Sequence, residues 1–136
     1  MIAVAVGDGN RELIESFGAA VVDGGSTMNP STADLVAAIE ASQAAEVVVL
    51  PNNPNVLMSA EQAAEHASKP ARVVPTRSLQ AGLAALVAFD PGLDAGANAV
   101  AMAEAAASIA TGAVTVASRD VALDGLSVHK GEWLGL

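Results

Sequence analysis

Short apolar runs alternate with amphipathic ones over most of this chain. Ile2 to Val6 is apolar throughout and closes at Gly7, which predicts a buried strand. Ala20 to Val22, Glu46 to Leu50 and Ala71 to Val74 repeat the pattern, and the β-branched third run is the clearest. Between them, apolar residues fall at helical spacing. Leu13, Ile14 and Phe17 share one face of a helix expected from Arg11 to Phe17, capped by Asn10 and ended by Gly18. Leu35, Val36 and Ile39 line a second helix, with Ser31 as N-cap and Asp34 in the first turn. A third is expected to start at Pro54 with Asn53 as its cap, and to run to about Ala67. Ser78 caps a fourth through Leu83, Leu86 and Val87, and a fifth spans about Ala97 to Ala110.

The rhythm changes after Gly112. Val114, Val116, Val121 and Leu123 alternate, Asp124-Gly125 is a hairpin signal, and Leu126 to His129 and Glu132 to Leu136 follow as strand-like runs. The expected class is therefore α/β, a Rossmann-like parallel sheet flanked by helices, with a C-terminal antiparallel hairpin extension. Residues 1–112 form the βα-repeat domain and residues 113–136 an antiparallel β tail of the same domain, in a piece expected to be cut from a longer chain. The tail is expected to extend one edge of the sheet or lead to a further domain. Trp133 and Leu134 are expected to pack over the sheet edge.

Each predicted strand ends in a polar loop. If the strands are parallel, the four loops gather at one edge, where open α/β sheets bind ligands and partners. Gly24 to Thr32 (GGSTMNPST) supplies Thr27, Asn29 and Ser31 at a helix start, a setting that favours anions as readily as it favours ordinary capping. Asn52, Asn53 and Asn55 crowd the loop after the third strand, and Thr76 and Arg77 follow the fourth. Asn commonly satisfies its own turn, yet three within four residues also suggest a hydrogen-bonding surface. Gly7-Asp8-Gly9-Asn10 matches half of a dinucleotide fingerprint but lacks the third glycine, so a tight turn is expected there.

Composition narrows the chemistry. The 136 residues carry a formal charge of −9, which argues against nucleic acid and anionic membranes. There are no cysteines, so thiolate catalysis and disulfides are excluded. His66 and His129 have no ligand at metal spacing, and no nucleophile–base set is suggested, so neither a metal site nor a catalytic residue is expected. Nor is a transmembrane segment, since every apolar run is too short to span a bilayer.

GGSTMNPST, LPNNPNVLMSAEQAAE, VVPTRSLQAGLAALVAFDP and TGAVTVASRDVALDG resemble the C-terminal region of the bacterial fatty acid kinase A family, also described as DAK2-domain or dihydroxyacetone-kinase-like proteins. The resemblance covers nearly all of the chain. In that family an N-terminal helical domain binds ATP and magnesium, and the protein phosphorylates a fatty acid presented by a separate DegV-like carrier protein. The protein is expected to be cytoplasmic, with a homodimer possible through the parent, and no cofactor is expected in this portion, since the resemblance places ATP and Mg in the kinase domain. A weaker similarity joins STMNPSTADLVAAI and PNNPNVLMSAEQAAE to the loops with which DegV-like carriers hold a lipid carboxylate. Asn52 and Asn53 replace the serines of those loops, and Pro54-Asn55 departs from their pattern.

The expectation is a non-catalytic C-terminal module, with a DegV-like subdomain, that contacts the carrier through Thr27, Asn29, Ser31, Asn52, Asn53, Asn55, Thr76 and Arg77. The alternative is a domain binding a small anion or a fatty-acid carboxylate at the same edge. No activity is expected of this portion alone, while the parent is expected to be an ATP-dependent kinase component in lipid metabolism.

Overall fold

The computed structural model describes residues 1–123 and 126–135. In chain order the elements are β1 (Ile2–Ala5), α1 (Asp8–Ser16), β2 (Ala20–Asp23), α2 (Thr32–Ala41), β3 (Val47–Leu50), α3 (Leu57–His66), β4 (Ala71–Val73), α4 (Leu79–Val87) and α5 (Ala95–Ser108). Four short strands follow: β5 (Val114–Val116), β6 (Val121–Leu123), β7 (Leu126–Val128) and β8 (Trp133–Gly135).

The first four strands make one parallel sheet in the order β2-β1-β3-β4. Its two central strands are buried at every position, which explains why they read as unbroken apolar runs. Side chains alternate between two helical layers. Ile2, Val4, Val47 and Val49 pack with Leu35, Ile39, Val56 and Ala60 of the α2–α3 side. Ala3, Ala5, Val48 and Leu50 pack with Ile14, Leu86 and Met102 of the α1, α4 and α5 side. Leu35 and Ile39 are fully enclosed, each contributing roughly 1.5–3 kcal/mol of burial. β1 pairs β2 on one side and β3 on the other, so the strand order reverses between β1 and β3.

Two helix starts follow the expected chemistry. Ser31 and Asp34 form a capping box on α2, and the Ser78 hydroxyl accepts from the Ala81 N–H on α4. Two others differ. α1 begins at Asp8 rather than Arg11, because Gly7 turns the chain at φ 91° while Asn10 donates its amide to the Val6 carbonyl at 2.8 Å. α3 begins at Leu57 rather than Pro54. The Asn53 side chain accepts from the Asn55 N–H at 2.9 Å and its carbonyl accepts from Val56, so the residue makes a turn instead of a cap. α5 starts at Ala95, two residues before the expected position, because Asp94 caps it by accepting from the Ala97 N–H.

The tail is antiparallel, as the alternation implied, but it does not extend the parallel sheet. β5 pairs with β8 and β6 with β7, each as a separate two-stranded ladder. The expected turn at Asp124-Gly125 lies outside the described residues. Trp133 does not pack over the sheet edge: it is 75% exposed, opposite Val116 in the β5–β8 ladder, while Leu134 is half-buried. Among the described residues, no helix is long and apolar enough to cross a membrane.

Candidate functional site

Parallel strands bring the four strand-end loops to one edge of the sheet. Three of them are tied together there by side chains. β3 leaves β1 after the Ala3–Leu50 pair, and the ladder between them ends. Asn52 continues it with its side chain, donating Nδ2 to the Val4 carbonyl at 3.0 Å. The pairing of β3 with β4 is prolonged in the same way. Past the Val74 N–H bond to Val49, the Thr76 hydroxyl accepts from the Asn52 N–H at 3.0 Å and donates to Asn52 Oδ1 at 2.8 Å.

Both residues are enclosed, Asn52 at 3% exposure and Thr76 at 1%. Asn52 holds a left-handed backbone, φ 57°, which Asn tolerates better than most residues. Gly82 on α4 lies against its amide, and a Cβ at that glycine would overlap Asn52 Oδ1. At the strand-order reversal, where open α/β sheets usually receive a ligand, this protein has packed its own amide and hydroxyl.

The remaining predicted residues surround that plug. Asn53, half-buried, donates Nδ2 to the Met28 carbonyl at 3.3 Å and so joins the β2–α2 and β3–α3 loops. Met28 itself sits at φ 51°, within a turn closed by hydrogen bonds from Met28 to Gly25 and from Asn29 to Gly24. Thr27, Asn29, Ser31, Asn55 and Arg77 are exposed. The Ser31 hydroxyl is committed to Asp34, donating to Oδ2 at 2.6 Å while accepting from the Asp34 N–H at 3.1 Å. The Ser31 hydroxyl, with help from its N–H, holds the Asp34 carboxyl below the usual carboxylate range. The positive end of α2 thus already faces an anion of its own chain.

The eight residues expected from the sequence do lie at one edge of the sheet, but local patterns do not separate the buried pair, Asn52 and Thr76, from the exposed rim. Gly82 was expected only as a helix residue. Its neighbour across the fold lies 30 positions away in the sequence, and no local pattern points to it.

The fold and edge define an α/β module with a closed switch point and a polar, exposed loop rim. Residues 1–136 match the family of FakA-like C-terminal domains, those of the fatty acid kinase A-like proteins, and the chain belongs to that family. It is 44% identical over its whole length to an uncharacterized protein, SH1689, of Staphylococcus haemolyticus, and 41% identical to protein YloV of Bacillus subtilis. An uncharacterized protein of Staphylococcus aureus is 39% identical. The chain spans about a quarter of the length of each of these curated relatives, 25% in every case.

Proposed function

We propose that this chain is a non-catalytic interaction module of a two-component fatty acid kinase, contacting the fatty-acid-binding DegV-like carrier protein through the loop edge. The observation that carries the reading is the filled switch point. Asn52 and Thr76 spend their hydrogen bonds on each other and on Val4, and among the described residues no buried side-chain polar group is left unpaired to recognise a small molecule there. What remains for recognition is the exposed rim, with Thr27, Asn29, Asn55 and Arg77 around a rigid centre. A surface of that kind suits a protein partner better than an enclosed ligand.

Family membership supplies the biological half of the reading. The catalytic work, with ATP and magnesium, belongs on this view to another part of a cytoplasmic parent protein, which is also where a homodimer would form. The DegV-like character of the subdomain is part of the proposal and rests on the βα order and the loop sequences. The alternative, a domain for a small anion or a fatty-acid carboxylate using Thr27, Ser31 and Arg77, is disfavoured at α2, where Asp34 already occupies the helix start.

Calorimetric titration with a DegV-like carrier, loaded and unloaded with fatty acid, tests the reading. Saturable heat supports it. Absence of heat with the carrier, together with thermal stabilisation by free fatty acid or phosphate, would move the assignment to a ligand-binding domain.

A further inference from the structure

Arg77 stands at the meeting of two open clefts. One, of about 290 Å³, runs between the start of α4 and the end of α5, where Ala81 faces Ala103, Ala106, Ala107 and Ile109. The other, of about 530 Å³, continues past Pro54, Gln80 and Gly112. Both are lined by Arg77, Ser78 and Thr111, so together they form one trough, in which Arg77 is the single cationic side chain among the described residues.

Among the described residues, no carboxylate lies within 4.0 Å of the Arg77 guanidinium. Arg11, by contrast, is paired with Glu15 and Asp23, and Lys69 is bonded to the carbonyls of Glu40 and Ser42. Arg72 and Arg119 are also outside those ion pairs, but Arg77 is the arginine that lies on the loop edge. In a chain of net charge −9, an exposed guanidinium flanked by methyl groups is a local exception to the surface field.

We infer that this trough receives a carboxylate of the carrier protein, an Asp or Glu side chain or a chain terminus, flanked by short aliphatic residues. The inference rests on the interaction reading above and names where and by what chemistry the contact is made. A guanidinium can bind a carboxylate through two parallel N–H donors, which fixes orientation as well as charge. The alanine methyls and Ile109 offer a shallow apolar wall for small neighbours. An acyl chain would need most of its surface enclosed, whereas this trough is open to solvent. A protein segment laid across it fits better.

The test is titration of the fatty-acid-loaded carrier into the full chain and into Arg77→Glu, Arg77→Lys, Ala106→Glu and Arg72→Ala, with circular dichroism confirming that each variant is folded. Arg77→Glu and Ala106→Glu should each weaken binding by about tenfold or more, and Arg77→Lys by less. Arg72→Ala, an exposed charge on β4 that lines neither cleft, should stay within about twofold of the parent chain. Raising the salt concentration should weaken the parent chain more than Arg77→Glu.

Parent-like binding by both Arg77→Glu and Ala106→Glu would overturn the trough while leaving the carrier interaction in place. A parent chain that does not bind the carrier would remove both. Saturable binding of free palmitate that disappears in Arg77→Glu, with carrier binding unaffected, would reassign the trough to lipid and overturn the inference.

Discussion

The Thr76 hydroxyl and Asn52 exchange two hydrogen bonds, one accepted from the Asn52 N–H at 3.0 Å and one donated to its Oδ1 at 2.8 Å. A hydroxyl can do both at once, and valine, of the same shape, can do neither. Thr76→Val would leave a backbone donor and an amide oxygen unpaired in the interior. The expected loss of stability is about 1–3 kcal/mol, read by urea unfolding. Thr76→Ser keeps the hydroxyl and should recover most of it. Equal stability of the Val variant would mean that the pair does not hold the strand ends together.

Gly82 sets two effects against each other. Replacing a mid-helix glycine by alanine ordinarily gains up to about 1 kcal/mol. Here the new methyl would overlap the Asn52 side-chain amide, whose position is fixed by its bonds to Val4 and Thr76. Overpacking of a fixed core costs about 1–3 kcal/mol, so the clash wins and Gly82→Ala should lower the melting temperature. Asn52→Ala is expected to destabilise as well, through the lost bond to Val4 and the left-handed backbone. If both changes in one chain cost less than their sum, the two residues are coupled as the packing implies.

Glu40 links the end of α2 to the loop after α3. Its carboxylate accepts from the Ser68 hydroxyl and from the Ser68 N–H, each at 2.6 Å. Those bonds, with a smaller contribution from Lys69, hold its carboxyl below the ordinary value. A carboxyl whose folded value is depressed stabilises the fold above its unfolded value. That contribution is lost as the pH falls through the lowered folded value. Thermal melts of the parent chain and of Glu40→Gln should therefore differ at neutral pH and converge in acid. A difference that persists unchanged in acid would assign the effect to packing instead of ionisation.

The strands were legible because burial on both faces leaves no polar position in β1 or β3. Ser31 and Ser78 were legible for a local reason, since a cap bonds to a backbone group three residues on. Asn53 was misread by the same rule. Its side chain took the Asn55 N–H and made a turn, which delayed α3 to Leu57. The division of the loop edge into plug and rim could not be read, because Asn52 meets Val4, Thr76 and Gly82 only after the sheet has formed. Trp133 shows a different limit. Alternation with Glu132 gives it a side of a strand but does not say whether anything covers that side, and here it is exposed.

The measurement that bears most directly on the loop edge as an interface is hydrogen exchange of this chain with and without a saturating DegV-like carrier. Slowed exchange should concentrate in residues 24–31, 51–56, 74–82 and 103–113, the segments that carry the exposed rim and the trough beside it, with the β6–β7 ladder unchanged. An unchanged pattern at saturation, or protection confined to the opposite ends of the strands, would contradict the assignment of this edge as the docking surface.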